Sequence, residues 1–190
     1  MTVSLRFKSF FTLLMAAVLL LLPNTSAFAG VVDYPPPQLK IKHAPQEYSQ
    51  WCWSAMSVMI LDYYGEKMTQ SEYAKYVNGH TKNVQIMDFE FTEALDEKGI
   101  TGKMIPRKET TYKKITSSID LGQPVAILTK NHRTGNGHII LVIGHFMKDG
   151  QEALIINDPG QMVTDWIFFD EIGTGNIEWQ QTWLNIKKTK

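Results

Sequence analysis

The sequence predicts an α+β fold, with helices in the first half of the chain and an antiparallel sheet in the second. Four segments before residue 122 carry helical patterns or helix-capping signals, and five short apolar runs after residue 123 have β character. Helices followed by strands, rather than alternating with them, are typical of α+β domains. The composition, 44% hydrophobic and 20% charged, is that of a globular protein.

The first 29 residues have the order of a secretory signal peptide. Arg6 and Lys8 give a basic start, residues 10–22 are almost entirely apolar, and Ala27-Phe28-Ala29 supplies the small-x-small pattern of a cleavage site. The apolar run of about 13 residues is short for a membrane span of roughly 20. We expect cleavage before Gly30 and an exported protein, secreted or periplasmic, with no stable membrane association. An uncleaved membrane anchor is the alternative.

Residues 30–44 are predicted to form an extended arm, and residues 45–190 a single domain. Pro35-Pro36-Pro37 favours polyproline II within the arm. In the domain, the segment from Trp53 to Tyr64 is apolar on nearly every side, which predicts a buried helix that ends at Gly65.

Three more helices are expected before the sheet. Thr69-Gln70-Ser71-Glu72 matches a capping box and should open a helix that continues to about Val77. Helices are also predicted from Asp88 to Lys98 and from Thr110 to Leu121, since each segment is followed by a glycine.

Five strands are predicted in the second half of the chain. Lys148-Asp149-Gly150 supplies turn chemistry between the second and third of them, which predicts a hairpin. The five runs are Pro124–Thr129, His138–Phe146, Ala153–Asn157, Val163–Phe169 and Thr182–Ile186.

Charge and cysteine content exclude several functions. The formal net charge is +0, whereas nucleic-acid-binding domains usually have a clear basic excess, so we expect no nucleic-acid partner. The chain has 1 cysteine, which excludes an intrachain disulfide and a zinc site built from several cysteines. In an exported protein, an unpaired thiol is either an inert buried side chain or a working one.

Cys52 is placed where a thiol can be activated. It lies at or next to the start of the first predicted helix, and the positive end of a helix dipole stabilises the thiolate, which is the nucleophilic form. The alternative is that Cys52 is a small buried hydrophobic residue.

Such a nucleophile needs a base, and the chain has 5 histidines. His138 is the first residue of the apolar run HIILVIG. A titratable side chain at the start of a buried strand needs a hydrogen-bond partner, because burial of an unpaired polar group is costly. His145 lies at the other end of that strand, and alternation along the strand would turn it to the opposite face. We therefore favour His138. The others lie in predicted loops, where a solvated imidazole is the simpler interpretation, or in the arm: His80, His132 and His43.

Further candidates complete the chemistry of acyl transfer. The predicted hairpin brings the end of its second strand near His138, so either Asn157 or Asp158 could orient the imidazole. The alternative is that these residues only form a turn. An oxyanion needs donors, which a backbone N–H at the helix start and the side-chain amide of Gln46 or Gln50 could provide.

Together these residues resemble the papain-like cysteine peptidases, and within that group the compact bacterial secreted and bacteriocin-processing types. Gln46 and Cys52 reproduce the glutamine–cysteine spacing of the family, and Cys52-Trp53 with the small and apolar residues after it matches the nucleophile helix. The run GHIILVIG from Gly137 resembles the histidine strand, and Asp158-Pro159 resembles the position of the third residue.

The resemblance implies a papain-like fold in which the nucleophile helix packs on the C-terminal antiparallel sheet. It also implies roles for four residues: nucleophile for Cys52, general base and acid for His138, orienting residue for Asp158 and oxyanion donor for Gln46. Plant-type members use asparagine as the orienting residue, so Asn157 stays an alternative.

The activity implied is hydrolysis of a protein or peptide substrate through a covalent thioacyl-enzyme, without metal or organic cofactor. Only residues 30 to about 42 lie between the predicted signal peptide and the predicted catalytic region, too few for the large inhibitory segment of many members, so we expect control by export, substrate choice or a separate protein inhibitor. The alternatives are another thiol acyl transferase or deamidase on the same fold, a catalytically inactive papain-like binding protein, and a metal-binding protein that uses Cys52 and His138.

Overall fold

Four α-helices and a six-stranded antiparallel sheet make up the described part of the chain, which in this computed structural model is residues 36, 38–86 and 88–189. The predicted signal peptide and two of the three prolines of the predicted polyproline segment lie outside these residues. In chain order the elements are α1 (Cys52–Tyr63), α2 (Gln70–Asn78), α3 (Asp88–Glu97), β1 (Ile100–Pro106), α4 (Tyr112–Asp120), β2 (Val125–Asn131), β3 (Gly137–Lys148), β4 (Gln151–Asn157), β5 (Asp165–Phe168) and β6 (Ile177–Lys188). The 3₁₀ turns are Arg107–Glu109 and Phe169–Glu171.

The prediction of an α+β fold is confirmed. The predicted capping box and the glycines predicted to end helices are found at the ends of the observed helices. Thr69 and Glu72 form the reciprocal capping box at the start of α2, so two backbone N–H groups gain partners. Gly65 and Gly122, which follow α1 and α4, have positive φ values of 86° and 75°. Glycine adopts that backbone conformation at little cost.

The sheet has one more strand than predicted. Its order is β1-β6-β2-β3-β4-β5, so β1, which lies between helices in the sequence, forms one edge by pairing with β6. Only Ile100 and Ile105 of β1 are buried, and Gly102 and Lys103 are poor strand formers. A Cβ atom at Gly102 would lie 2.5 Å from the Trp183 indole nitrogen. The glycine that weakens the strand signal is thus required by close packing on β6.

Different helices cover the two faces of the sheet. The α1 face is packed by residues that include Met56, Met59, Ile60, Leu141, Ile143 and Trp183, and α2 and α3 join this side. The α4 face is packed by residues that include Ile115, Ile119, Val125, Ile127, Val142 and Leu154. Helix α1, which begins at Cys52, therefore packs on the antiparallel sheet, as the resemblance implied.

A β-bulge in β3 changes the alternation of its side chains. The register shifts after Val142, so His145 pairs with Leu154 and faces the α4 side. His138 precedes Ile140 by two residues, and Ile140 packs on the α4 side as well. We expected regular alternation along the strand to place His138 and His145 on opposite faces of the sheet. Because of the bulge, that expectation is wrong. What separates His138 from His145 is the length of the strand.

The described part of the predicted arm packs against the sheet. Gln38 forms an antiparallel bridge with Gly144, and the Leu39 N–H donates to the Ile143 carbonyl at 2.7 Å. Ile41 is buried in the core on the α1 face. From residue 38 onward the chain before α1 is thus integrated with the sheet.

No helix within the described residues is long and apolar enough to span a membrane.

Candidate active site

Cys52 is the first residue of α1, and the helix N-terminus around it is uncapped. Trp51 occupies the N-cap position and supplies no side-chain cap, and the first turn carries no acidic residue. The first backbone N–H groups of a helix have no intrahelical acceptor. The partial positive charge of this helix N-terminus therefore lies beside the thiol of Cys52. The residue Cys52 is 6% exposed.

The two tryptophans beside Cys52 fix the start of the helix. Trp51 and Trp53 are buried, and their indole N–H groups donate to the carbonyls of Lys82 and Val84, each at 3.1 Å. Sequence reasoning did not find the segment that accepts these bonds. Both indoles therefore tie the start of α1 to the loop that contains Lys82 and Val84.

His138 begins the buried part of β3 and pairs with the carboxylate of Asp158. The distance from His138 Nε2 to Asp158 Oδ1 is 2.6 Å. Burial lowers the pKa of His138, but hydrogen bonds and charges from Asp158 and Cys52 raise it by more, to about 10 from the usual 6.5. The same imidazole thus interacts with both the Cys52 thiol and the Asp158 carboxylate.

Asp158 is held as an anion. Burial raises the pKa of its carboxyl, whereas the hydrogen bond and charge of His138, the Gly160 N–H and the charge of His43 together bring that pKa below its usual 3.8. The Gly160 N–H donates to Oδ1 at 2.8 Å. A carboxylate that accepts two bonds at one oxygen has a fixed orientation, which also fixes the ring it binds.

Asn157 is turned away from the imidazole. It is fully buried, its Nδ2 donates to the Ile41 carbonyl at 3.2 Å, and its Oδ1 accepts from the Thr164 hydroxyl at 2.7 Å. Of the two neighbours weighed from the sequence, the structure brings Asp158 to His138 and gives Asn157 other partners.

Gln46 and Gln50 lie in different surroundings. The Gln46 Nε2 donates to the Tyr48 carbonyl at 2.9 Å, which leaves one of its two N–H groups available. Its Oε1 is buried without a partner among the described residues. Gln50 lines the cavity at Cys52, and Gln46 does not. The structure therefore brings Gln50, rather than the favoured Gln46, to the cavity wall.

A cavity of about 550 Å³ opens onto Cys52 and His138. One part of its wall is aliphatic: Ile140, Ile156, Ile167, Ile172 and Ile177. Among the described residues that line it, Asp158 and Glu171 are the only ones that are acidic, and none is Lys or Arg. The cavity thus offers apolar surface beside the Cys52 thiol, the His138 imidazole and the Asp158 carboxylate.

The described residues contain no group of three or more His, Cys, Asp or Glu side chains placed to hold a metal ion. The other close histidine–aspartate pair is remote from Cys52. His145 Nε2 lies 2.8 Å from Asp120 Oδ1, at the end of α4. This second pair has the same residue types as the His138–Asp158 pair, but the single cysteine of the chain is not beside it.

Sequence reasoning missed one residue near the site. His43 was assigned only to the arm, yet its Nε2 donates to the main-chain carbonyl of Asp158 at 3.0 Å. No local pattern indicates this contact, because the two residues are 115 positions apart.

The comparison with protein families decides what kind of site this is. Residues 37–168, more than half of the chain, match the family described as papain-like cysteine protease AvrRpt2. The chain belongs to this family. This papain-like protein is a cysteine peptidase, and the matched region contains Cys52, His138 and Asp158. No match was found among curated proteins.

Solved structures have the same fold at low sequence identity. The peptidase domain of Streptococcus ComA, a bifunctional ABC transporter of a quorum-sensing pathway, aligns with a TM-score of 0.60 and 17% identity over 78% of this chain and 99% of that domain. A double-glycine-motif protease from an AMS/PCAT transporter, solved with its leader peptide, gives 0.53 and 16% over 77% and 94%. UfSP from C. elegans gives 0.50 and 12% over 82% of this chain and 35% of that one.

Proposed function

We propose that this papain-like peptidase is an exported endopeptidase that hydrolyses peptide bonds through a Cys52-His138-Asp158 triad and a covalent thioacyl-enzyme. The observation that carries the proposal is the arrangement around His138. Its Nε2 lies 2.6 Å from the Asp158 carboxylate, while the same ring interacts with the single thiol of the chain at an uncapped helix N-terminus.

The resting pair is a Cys52 thiolate and a His138 imidazolium. A pKa of about 10 keeps the imidazole protonated at neutral pH. Transfer of the thiol proton to the ring leaves an anion at the positive end of α1, where the dipole favours it. Asp158 orients the ring and stabilises its charge, which is the usual role of the third residue in such sites.

Acylation forms one bond and breaks another. The Cys52 sulfur attacks the peptide carbonyl carbon, and the carbonyl oxygen becomes an oxyanion. The C–N bond then breaks, and His138 gives its proton to the leaving amine, which leaves a thioester on Cys52. In deacylation, His138 takes a proton from water, the hydroxide attacks the thioester, and the thiolate leaves to restore the ion pair.

Two donors are proposed for the oxyanion. The Cys52 backbone N–H belongs to the first turn of α1, where N–H groups lack intrahelical acceptors. The second donor is the Gln46 amide, as the resemblance implies: it lies outside the cavity wall that Gln50 lines, but it keeps one N–H free after its bond to Tyr48. Donors fixed before the reaction stabilise the oxyanion without reorganisation, which is why such groups contribute strongly to rate.

The proposed substrate is a peptide or an extended protein segment. The cavity at Cys52 has room for side chains of a bound chain and an aliphatic wall that would bury them. The related double-glycine-motif protease was solved in complex with a leader peptide, which is consistent with peptide binding on this fold. Control by a separate protein inhibitor stays a prediction.

Export is proposed from the first 29 residues alone. Their basic start, apolar run and Ala27-Phe28-Ala29 pattern are those of a signal peptide. Expression of the full chain in a bacterial host and N-terminal sequencing of the processed protein test this proposal. A mature N-terminus at Gly30 in the periplasm or medium supports it, and an intact Met1 retained inside the cell contradicts it.

The catalytic proposal is tested by incubating a diverse peptide library with wild type and three variants. Cys52→Ala and His138→Ala are expected to abolish turnover while circular dichroism stays that of the folded protein. Thermal unfolding should stay close to wild type for Cys52→Ala and fall for His138→Ala, because that variant loses the pair with Asp158. His145→Ala is the matched control, because it breaks a histidine–aspartate pair remote from Cys52 and should retain activity. Cleavage by Cys52→Ala would refute the proposal. Mass spectrometry of products with and without added amines separates hydrolysis from acyl transfer or deamidation.

A further inference from the structure

The loop that carries Asp158 is tied to the segment before α1. We name residues 38–46 the strap. Asn157 Nδ2 donates to the Ile41 carbonyl at 3.2 Å, His43 Nε2 donates to the Asp158 carbonyl at 3.0 Å, and the Gln46 N–H donates to the Pro159 carbonyl at 2.8 Å. Three successive residues of the loop are therefore bound to the strap.

The strap is itself anchored at its other end. The Leu39 N–H donates to the Ile143 carbonyl of β3, and Ile41 is only 6% exposed. Residues 47–51 join its end to the start of α1, which carries Cys52. The strap thus connects β3, which carries His138, with the loop that carries Asp158, and the chain then continues towards α1.

One strap contact involves Asp158 itself: the His43 side chain donates to the Asp158 main-chain carbonyl. The Asp158 carboxylate binds His138 and the Gly160 N–H, while its main-chain carbonyl binds His43 and the Gln161 N–H at 2.9 Å. The carbonyl and the carboxylate of one residue are linked through its Cα. A bond that fixes the carbonyl therefore also limits how the carboxylate can turn.

We propose that His43 is a positioning residue, whose imidazole holds the Asp158 main chain so that the Asp158 carboxylate stays on His138. This inference rests on the proposed triad. The Nε2–H of either the neutral Nε2–H tautomer or the protonated ring can donate this bond. Loss of the ring leaves the Asp158 carbonyl with one donor, and the loop with its two outer ties.

The proposal predicts an effect on the titration of His138. The titratable side chains with charges that act on Asp158 are His138 and His43. With a less restrained carboxylate, the His138 imidazolium loses stabilisation, so its proton leaves at lower pH. A residue with only a structural role would lower the unfolding temperature but would not move this titration in the protein that is still folded.

The experiment compares His43→Ala, His43→Gln and Lys42→Ala with wild type. Glutamine places an amide N–H near the position of Nε2 and is the conservative replacement. Lys42 is the exposed neighbour and serves as the control. The rate of Cys52 alkylation by iodoacetamide is measured from pH 5 to 11 by intact-protein mass spectrometry, alongside kcat/KM on the best library peptide and thermal unfolding. Cys52 is the single cysteine of the chain, so every alkylated protein reports this thiol.

We expect His43→Ala to move the alkaline inflection of the alkylation profile to lower pH and to lower kcat roughly 5- to 20-fold with little change in KM. His43→Gln should recover most of both, and Lys42→Ala should match wild type. An unchanged inflection in folded His43→Ala overturns the proposal, as does a His43→Gln profile that equals that of a perturbed His43→Ala. If His43→Ala does not fold, the His43→Gln and wild-type profiles must coincide.

The alkylation readout also separates this inference from the proposed function. It needs no substrate, so it reports the thiol–imidazole pair even in a protein that cleaves nothing. A peptidase that fails on every peptide refutes the endopeptidase activity, whereas a His43 variant with an unmoved inflection refutes only the positioning role.

Discussion

Replacement of Asp158 by asparagine tests the centre of the proposed mechanism. The change keeps the size and shape of the side chain but removes the charge that His138 contacts at 2.6 Å. The pKa of His138 is raised to about 10 by Asp158 and Cys52 together. An opposite charge at this range raises a histidine pKa by about 1–3 units. We therefore expect the alkaline inflection of Asp158→Asn to lie roughly 1–2 pH units below that of wild type.

The same substitution has a predictable effect on stability. A shift of one pKa unit corresponds to about 1.4 kcal/mol. Because 36% of the His138 side chain is exposed, solvent reduces the contribution, and we expect Asp158→Asn to cost roughly 1–2 kcal/mol.

The sign of the pH dependence follows from the two partners. The raised pKa of His138 contributes stability that is fully present below the ordinary value of 6.5 and is lost as the pH rises through about 10. The lowered pKa of Asp158 contributes stability that is present above 3.8 and is lost as the pH falls through the lower folded-state value. The stability difference between wild type and Asp158→Asn should therefore be greatest from about pH 4 to 6.5 and decrease towards pH 10.

Two measurements check this prediction. Iodoacetamide alkylation of Cys52 as a function of pH gives the inflection, and urea unfolding at pH 6 and pH 10 gives the stability difference. Asp120→Asn is the matched control, since it removes the carboxylate of the second histidine–aspartate pair. An alkaline inflection that is the same in Asp158→Asn and wild type, in a folded protein, would refute the role given to Asp158.

Two further predictions concern the oxyanion donor and the edge strand. Gln46→Ala should lower kcat on the order of 10²-fold with KM little changed, as expected for one oxyanion donor. Gln50→Ala should mainly raise KM, because Gln50 lines the cavity; steady-state kinetics that show the larger kcat loss for Gln50→Ala would make Gln50 the donor. Gly102→Ala should cost about 1–3 kcal/mol in urea unfolding, because the added Cβ would lie 2.5 Å from Trp183. A Gly102→Ala protein as stable as wild type would contradict the packing argument.

Local patterns account for what could be predicted about the helices and the site. A capping box involves residues three apart, and the buried helix after Cys52 was predicted from twelve neighbouring residues, WSAMSVMILDYY. Cys52, His138 and Asp158 were each found from the end of a predicted element. Ends of elements are where such side chains can leave the core and meet.

The errors and omissions all involve pairings or contacts that the local sequence pattern does not contain. Strand β1 exists because β6 pairs with it, although its own sequence contains Gly102 and Lys103. The face of His145 depends on a bulge that only the pairing of β3 with β4 reveals. His43 meets Asp158 across 115 positions.

By itself, the sequence determined the class of fold, the approximate start of α1 and the residue types of the candidate site. These features depend on interactions within about one helical turn or one hairpin. The tertiary structure alone decided that the carboxylate of Asp158, rather than the amide of Asn157, meets His138. It also decided that the strap contacts the loop that carries Asp158. The physical reason is that neighbouring strand residues point to opposite faces. Which of the two faces is buried depends on the packing of the whole sheet.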